Sequence, residues 1–388
     1  MQKNFAKLLL NTIKKVTKSN SPKLHEPYFD KLEIKEIKKC IEGNFVSTAG
    51  PQVKEFEKKL SKLTKSKFVI ATNSGTSALH LALKAINIKF DSEVLIPSLN
   101  FVASANAIKY CNAEPHFIDS DQKNLSVDSN KLSEYLKENT KISNGKCINK
   151  KTKKVIKALI LVHIFGLSGD VLEIKKICKL NKIELIEDAA EAVGSYYKNK
   201  HLGTFGRIGV LSFNGNKTIT TGAGGALITN DKKLAEKIYK LSQISKVSHK
   251  WRLEYDDVGY NYRMASLNAA LGISQLKKLH VLLKNKKKLY SKYLKAFKKF
   301  KEFKLLNQSK NCKSNFWLIT ILLNENSLSK RDKIIEFLNN NGVQVRPCWK
   351  PLHRLKHFSK CPKMDLSNAE ILEKKIINIP SSSAYGKN

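Results

Sequence analysis

The sequence predicts an α/β protein, with a large, mainly parallel seven-stranded sheet followed by a smaller α+β unit at the C-terminus. Three observations carry this. Between residues 68 and 229 short apolar runs alternate with helical stretches, the rhythm of βαβ units whose strands are buried on both faces. Beyond about residue 265 that rhythm gives way to one long helical stretch and then a strand–helix–strand pattern. The chain has 388 residues, 41% of them apolar, which is ample for a core of this size or for two domains.

Taken in order, residues 1–26 form a basic helical extension. Residues 1–22 are amphipathic and are expected to dock on a dimer, with contact to anionic lipid as the alternative. Segments 32–44 and 53–63 read as amphipathic helices joined by the turn T-A-G-P. Strands are expected at 68–71, 93–96, 115–118, 158–162 and 184–186, with helices at 77–86, 102–109, 131–137 and 171–180 between them. Residues 137–157, rich in Lys, Asn and Ser, read as a solvated loop or insertion. Strands 209–213 and 226–229 flank a glycine-rich segment. The long helix spans about 265–300, followed by strand 316–323, helix 330–340 and strand 343–345. The expected division is a large domain over 27–248 and, over 249–388, the long helix with the small domain.

Composition excludes several classes. The formal net charge is +38, which by itself suggests an anionic partner. Only six of the 71 basic residues are Arg, however, and nucleic-acid readers favour the bidentate Arg fork. With no recognition motif beside the charge, the lysines read as a solvated coat, and no nucleic-acid partner is expected. No apolar run approaches the roughly 20 residues of a membrane span, and the apolar stretch near the N-terminus is too short for a signal peptide. A cytoplasmic protein is expected. The seven cysteines are scattered, with no C-x-x-C pair, which argues against a disulfide framework. His353, His357 and Cys361 would share one face of a helix, but Pro351 and Pro362 crowd the segment and no fourth ligand is evident, so no metal site is expected.

In an open parallel sheet, ligands bind beyond the carboxyl ends of the strands. After the first strand comes T-N-S-G-T-S-A-L-H-L-A-L, which places Gly75 and Thr76 at a helix start, either an anion site or an ordinary N-cap. After the fifth comes E-D-A-A-E-A-V-G-S. Here Asp188 and the small residues behind it leave room for something flat beside a carboxylate that needs a partner. Then follows L-S-F-N-G-N-K-T-I-T-T-G-A-G-G, where Lys217 sits between apolar strands and a glycine turn, an enclosure that favours a nucleophilic amine. Phosphate at a helix N-terminus, Asp on a pyridine nitrogen and Lys as covalent anchor together match a pyridoxal phosphate (PLP) site.

With those motifs, and with S-T-A-G-P-Q-V-K-E-F-E, P-S-L-N-F-V-A-S-A-N-A-I and V-G-Y-N-Y-R-M-A-S-L-N-A-A-L-G, the chain resembles the nucleotide-sugar aminotransferases. These are the DegT/StrS-type branch of the fold-type-I PLP enzymes. The resemblance runs from about residue 27 to the C-terminus. It implies that Lys217 binds PLP covalently and shuttles a proton, that Asp188 keeps the ring nitrogen protonated, and that Phe101 stacks on the ring. Gly75, Thr76 and Ser212 would bind the phosphate. Glu191, at a position often held by Gln or His, would lie near the 3-oxygen. Asn261 resembles a residue supplied to the neighbouring subunit's phosphate, which implies a homodimer with shared active sites. Some relatives carry His in place of the lysine and dehydrate their substrates; retention of Lys217 favours transamination.

The finer resemblance, through V-R-P-C-W-K-P-L-H and the C-terminal segment, is to the legionaminic acid and bacillosamine-pathway 4-aminotransferases. It implies a UDP- or GDP-linked 2-acetamido-4-keto-6-deoxy sugar, aminated at C4 by the pyridoxamine (PMP) form of the cofactor loaded from L-glutamate. Arg346 and His353 would meet the pyrophosphate at the cleft mouth. Trp349 would pack on the sugar or the base, or else between domains, and Arg263 would serve either an interface or the substrate. Alternatives are a perosamine-type or 3-keto-sugar aminotransferase and a catalytically silent PLP-binding regulator.

Overall fold

The computed structural model describes residues 2–387; Met1 and Asn388, the outer ends of the expected extension and small domain, lie outside the described residues. The large sheet has seven principal strands: β1 (Phe68–Thr72), β2 (Ser92–Pro97), β3 (Glu114–Ile118), β4 (Val155–Val162), β5 (Glu184–Asp188), β6 (Ile208–Ser212) and β7 (Gly225–Thr229). Their spatial order is β3-β2-β4-β5-β6-β7-β1, and only β7 runs against its neighbours. Every residue of β2, β6 and β7 is buried, as expected of strands covered on both faces.

Helices α1 (Gln2–Thr17), α2 (Lys31–Glu42), α3 (Pro51–Thr64), α4 (Gly75–Ala85), α5 (Ala103–Tyr110), α6 (Ser129–Asn139), α7 (Val171–Leu180) and α8 (Lys232–Ser242) precede the long α9 (Ser266–Ala296). Several starts have a local cause. Asp30 caps α2 in a reciprocal box with Glu33, and Pro51 opens α3. Asp170 and Asp231 cap α7 and α8.

Of the two readings of residues 137–157, loop or insertion, the structure shows an insertion with regular structure. After α6 the strands Thr140–Ser143 and Lys146–Asn149 form a hairpin, and Ile148 pairs with Val155 of β4. Its turn is Asn144-Gly145, both with positive φ, the combination a two-residue hairpin requires. Asn149 and Thr152 then reach back to the buried Glu93 of β2, which also holds His116 at 2.8 Å. Polar composition concealed an edge that is fastened by buried hydrogen bonds.

The C-terminal sheet is antiparallel: β8 (Phe303–Leu305), β9 (Ile319–Leu323), β10 (Arg346–Pro347) and β11 (Ile376–Ile379) lie in the order β8-β9-β11-β10. Helices α10 (Arg331–Asn340), α11 (Ser367–Lys375) and α12 (Ala384–Lys387) complete it. The strand expected at 343–345 lies one step further on, at β10; Val343 and Val345 are core residues of the approach. The strand expected from residue 316 begins at Ile319, because Phe316 takes a left-handed conformation and breaks the extended run.

A second apolar core joins this unit to α1. Leu9, Leu10 and Ile13 are buried with Tyr293, Phe297 and Phe303. The N-terminal helix therefore docks on its own chain. Burial of those three side chains removes it from water at about 1.5–3 kcal/mol each. Among the described residues no helix is long and apolar enough to cross a membrane.

Candidate active site

The carboxyl ends of β2, β5 and β6 and the start of α4 converge on a cavity of about 350 Å³, where a parallel sheet is expected to bind its ligand. At one side Ser74 caps α4 by accepting a hydrogen bond from the Ser77 N–H at 3.0 Å. The N–H groups of Gly75 and Thr76, which have no intrahelical acceptor, remain for an anion. Ser212, at the end of β6, stands close enough that a Cβ on Gly75 would lie 3.0 Å from its own Cβ. Gly225 permits this junction. A Cβ there would come within 2.5 Å of the Ser74 carbonyl and 2.6 Å of the Gly75 nitrogen, so only glycine lets β7 abut the helix start.

Asp188 closes β5 and is almost fully buried. Its Oδ2 accepts from Ser104 Oγ at 2.7 Å and its Oδ1 from the Ala190 N–H at 3.1 Å. The Ala189–Ala190 pair keeps the space beside it open. Lys217 lies on the loop between β6 and β7, with Nζ 3.4 Å from Glu191 Oε1 and 4.0 Å from the centre of the Trp317 ring. Burial raises the Glu191 carboxyl above the ordinary carboxylate range, with the Asp188 charge adding to the rise and Lys217 offsetting it only in part. Its other oxygen accepts from the Phe165 N–H at 2.8 Å. Phe165 adopts φ of +55°, a strained setting for a bulky residue that this hydrogen bond helps to hold.

An aromatic wall completes the cavity. Phe101, exposed over half its surface, lies 6.4 Å from Trp349 between ring centres; Trp349 lies 5.3 Å from Phe165, and Phe165 lies 6.3 Å from Trp317. The structure thus brings Gly75, Thr76, Phe101, Asp188, Glu191, Ser212, Lys217 and Trp349 to one cavity.

Three expected residues are not in its wall. Arg346 is exposed on β10. Asn261 is exposed, and its backbone carbonyl accepts from Asn73 Nδ2 at 3.3 Å. His353 does not reach the cleft mouth: it is buried, with Nδ1 2.7 Å from Ser98 Oγ and Nε2 3.1 Å from Glu370 Oε1, and so ties the end of β2 to α11. Burial lowers its pKa, and Glu370 opposes that fall. Arg263 pairs internally with Glu57 at 2.9 Å and covers the Tyr239 ring. The His353–His357–Cys361 spacing is not helical, since the two histidines sit on separate short turns and Cys361 Sγ meets Glu114 at 2.9 Å.

Sequence reasoning missed Trp317, Ser104 and Asn100. Ser104 and Asn100 stand in the quoted P-S-L-N-F-V-A-S motif, where a polar residue directly beyond a strand was the available signal. Asn100 is buried in the cavity wall, and its Nδ2 has no partner among the described residues, which marks a donor kept for a ligand. That orphaned donor, the helix-end anion site and the buried carboxylate opposite an amine fit a flat, phosphorylated, cationic ring.

A lysine enclosed with a buried aspartate and a helix start whose N–H groups are free, on the carboxyl edge of this sheet, is the arrangement that a PLP-dependent enzyme needs. Residues 27–388 match the family described as the DegT/DnrJ/EryC1/StrS aminotransferase family, and the chain belongs to it. Among its relatives is a GDP-perosamine synthase of Vibrio cholerae, 34% identical over 361 residues that span 92% of this chain and 93% of that one. A UDP-4-amino-4,6-dideoxy-N-acetyl-beta-L-altrosamine transaminase of Campylobacter jejuni is 33% identical, with 90% of each chain covered. Among solved structures, Helicobacter pylori PseC, an aminotransferase involved in the biosynthesis of pseudoaminic acid, superposes with a TM-score of 0.84 at 26% identity over 93% of each chain. The chain is thus a PLP-dependent sugar aminotransferase.

Proposed function

We propose that this enzyme aminates the C4 keto group of a nucleotide-linked 6-deoxy sugar, takes the amino group from L-glutamate, and works as a homodimer with shared active sites. The observation that carries this reading is the enclosure of Lys217 Nζ between Glu191 and Trp317 in the cavity that also holds Asp188. Gly75, Thr76 and Ser212 would hold the cofactor phosphate, and Phe101 would cover the ring. Asp188, kept in place by Ser104 and the Ala190 N–H, would hold the ring nitrogen protonated. When bound, PLP supplies the electron sink that makes amino-group transfer possible. Lys217 Nζ takes and returns the proton at the carbon being aminated. Trp317 holds that amine in position by a cation–π contact of about 0.5–2 kcal/mol. The exposed Asn261 would serve the partner subunit's phosphate.

The substrate proposed is a UDP- or GDP-linked 2-acetamido-4-keto sugar, supported by the altrosamine transaminase relative. A GDP-linked 4-keto sugar without the acetamido group is a second reading, favoured by the GDP-perosamine synthases among the relatives. Trp349 is the residue proposed to pack on the sugar or base. The test is the visible spectrum of the PLP-loaded protein before and after L-glutamate, followed by turnover with the two keto sugars. Loss of the yellow band on adding glutamate is expected. A band indifferent to glutamate would refute the donor, and turnover of the sugar lacking the acetamido group alone would favour the second reading.

A further inference from the structure

Lys286 lies in the middle of α9 and is 1% exposed, yet among the described residues no carboxylate lies within ion-pair distance of it. Its Nζ donates to three acceptors: His25 Nε2 at 2.9 Å, the Ser381 carbonyl at 2.7 Å and the Trp317 carbonyl at 3.2 Å. These acceptors come from chain segments far apart in sequence. His25 lies in the stretch that links α1 to the rest of the chain, outside the residues 27–388 that the family model matches. That stretch is pinned along its length: the Ser381 N–H donates to the Leu24 carbonyl at 2.7 Å, and the Glu26 N–H to Ser382 Oγ at 2.8 Å.

Trp317 carries the connection onward. Its indole Nε1–H donates to the Asn216 carbonyl at 2.7 Å, the peptide directly before Lys217, and its ring lies 4.0 Å from Lys217 Nζ. Its backbone N–H donates to Asn315 Oδ1 at 2.9 Å, while Asn315 Nδ2 reaches the Glu191 carbonyl at 2.9 Å and Thr218 Oγ1 at 3.2 Å. Backbone, indole and neighbour therefore all hold the segment that bears the lysine. The charges agree with this proximity. Burial first, then Lys286 and Lys217, keep the His25 ring well below its ordinary pKa, so the imidazole is neutral and free to accept from the lysine.

We propose that Lys286 and His25 are a positioning pair that couples the N-terminal segment to the active site, by fixing Trp317 against Asn216 and over Lys217. A buried amine costs stability, whether it stays charged without a counter-ion or gives up its proton, and an apolar residue would fill the same space without that cost. The geometry gives the amine a task that an apolar residue could not perform, because it is hydrogen-bonded to three separate segments of chain. The proposal rests on the reading of Lys217 as the reacting lysine.

The test is a double-mutant cycle on the PLP-loaded enzyme. Lys286→Met and Trp317→Phe should each slow the glutamate half-reaction about tenfold while PLP affinity stays within about twofold. The double variant should be no slower than the slower single one, because both changes break one linkage. Effects that multiply, or an unchanged rate in Lys286→Met, would overturn the proposal. If Lys286→Met does not fold, the same cycle run with His25→Ala, expected to cost about threefold, decides in its place. A second readout needs no cofactor: in a Trp251→Phe/Trp349→Phe background, Trp317 is the one tryptophan left, and Lys286→Met should red-shift its emission. An emission spectrum that does not move would count against the pair. Lys217→Ala is the separate control. If it kept its half-reaction, the reading of the reacting lysine would fail, whereas the emission result would still stand or fall by itself.

Discussion

Asp188 and Trp349 line the same cavity, yet they reach it by different routes. Asp188 is the last residue of a fully embedded strand, and its place follows from the register of β5 between β4 and β6. Trp349 belongs to an irregular stretch beyond β10 and is placed by packing against Phe165 and Phe101. One wall is set by backbone hydrogen bonds of the large sheet, the other by side-chain contacts across to the C-terminal unit. The first can hold a cofactor in fixed geometry. The second can vary its aromatic contacts without disturbing the sheet, which suits it to the sugar contact proposed for Trp349.

The largest effect expected from breaking the sheet wall is that of Lys217→Ala. Its glutamate half-reaction should fall at least about a thousandfold, since the proposed proton carrier is removed; single-turnover absorbance would show it, and normal turnover would remove the assignment. Asp188→Asn comes next. The variant should fold and bind PLP but lose about a hundredfold in rate, the scale of removing one preorganised electrostatic group, as measured by stopped-flow absorbance. On the other wall, Trp349→Leu should raise KM for the keto sugar by about tenfold, on the scale of one aromatic packing contact. A larger effect on the glutamate step than on the sugar step would erase the distinction between the walls.

The last effect concerns stability, away from both walls. Burial brings the Lys286 pKa down to about 7, below the ordinary lysine value. Between those two values the folded chain binds fewer protons than the unfolded chain, so stability must rise with pH across that window. Urea unfolding at intervals from pH 7 to pH 10 should show Lys286→Met losing a slope of up to about 1.4 kcal/mol per pH unit. Identical slopes in the two proteins would show that folding does not lower the pKa of this lysine.

The same contrast explains how much could be read from the residues alone. Asp188, Ser212 and Lys217 were legible because they stand directly beyond apolar strands, in a motif with fixed spacing. Trp317 was not. It depends on the left-handed turn at Phe316 and on a lysine 31 residues earlier in the chain, and neither leaves a local pattern. His353 was misplaced at the cleft mouth for the same reason, since its partners Ser98 and Glu370 come from distant elements. The 140–149 hairpin did have a signal in Asn144-Gly145, but its strands are too polar to read as strands; what holds them is the buried carboxylate of Glu93.

The seven cysteines are all buried and unpaired. Burial pushes the thiols of Cys111, Cys178 and Cys361 up to about 12 and that of Cys312 to about 11. A thiol that is both covered and protonated reacts slowly with alkylating reagents. The native enzyme is therefore expected to be nearly silent to iodoacetamide, with each sulfur becoming reactive only when its own region opens. Because these positions are spread from α2 to the segment before α11, the order in which they become alkylated in mild denaturant maps which parts of the molecule come apart first.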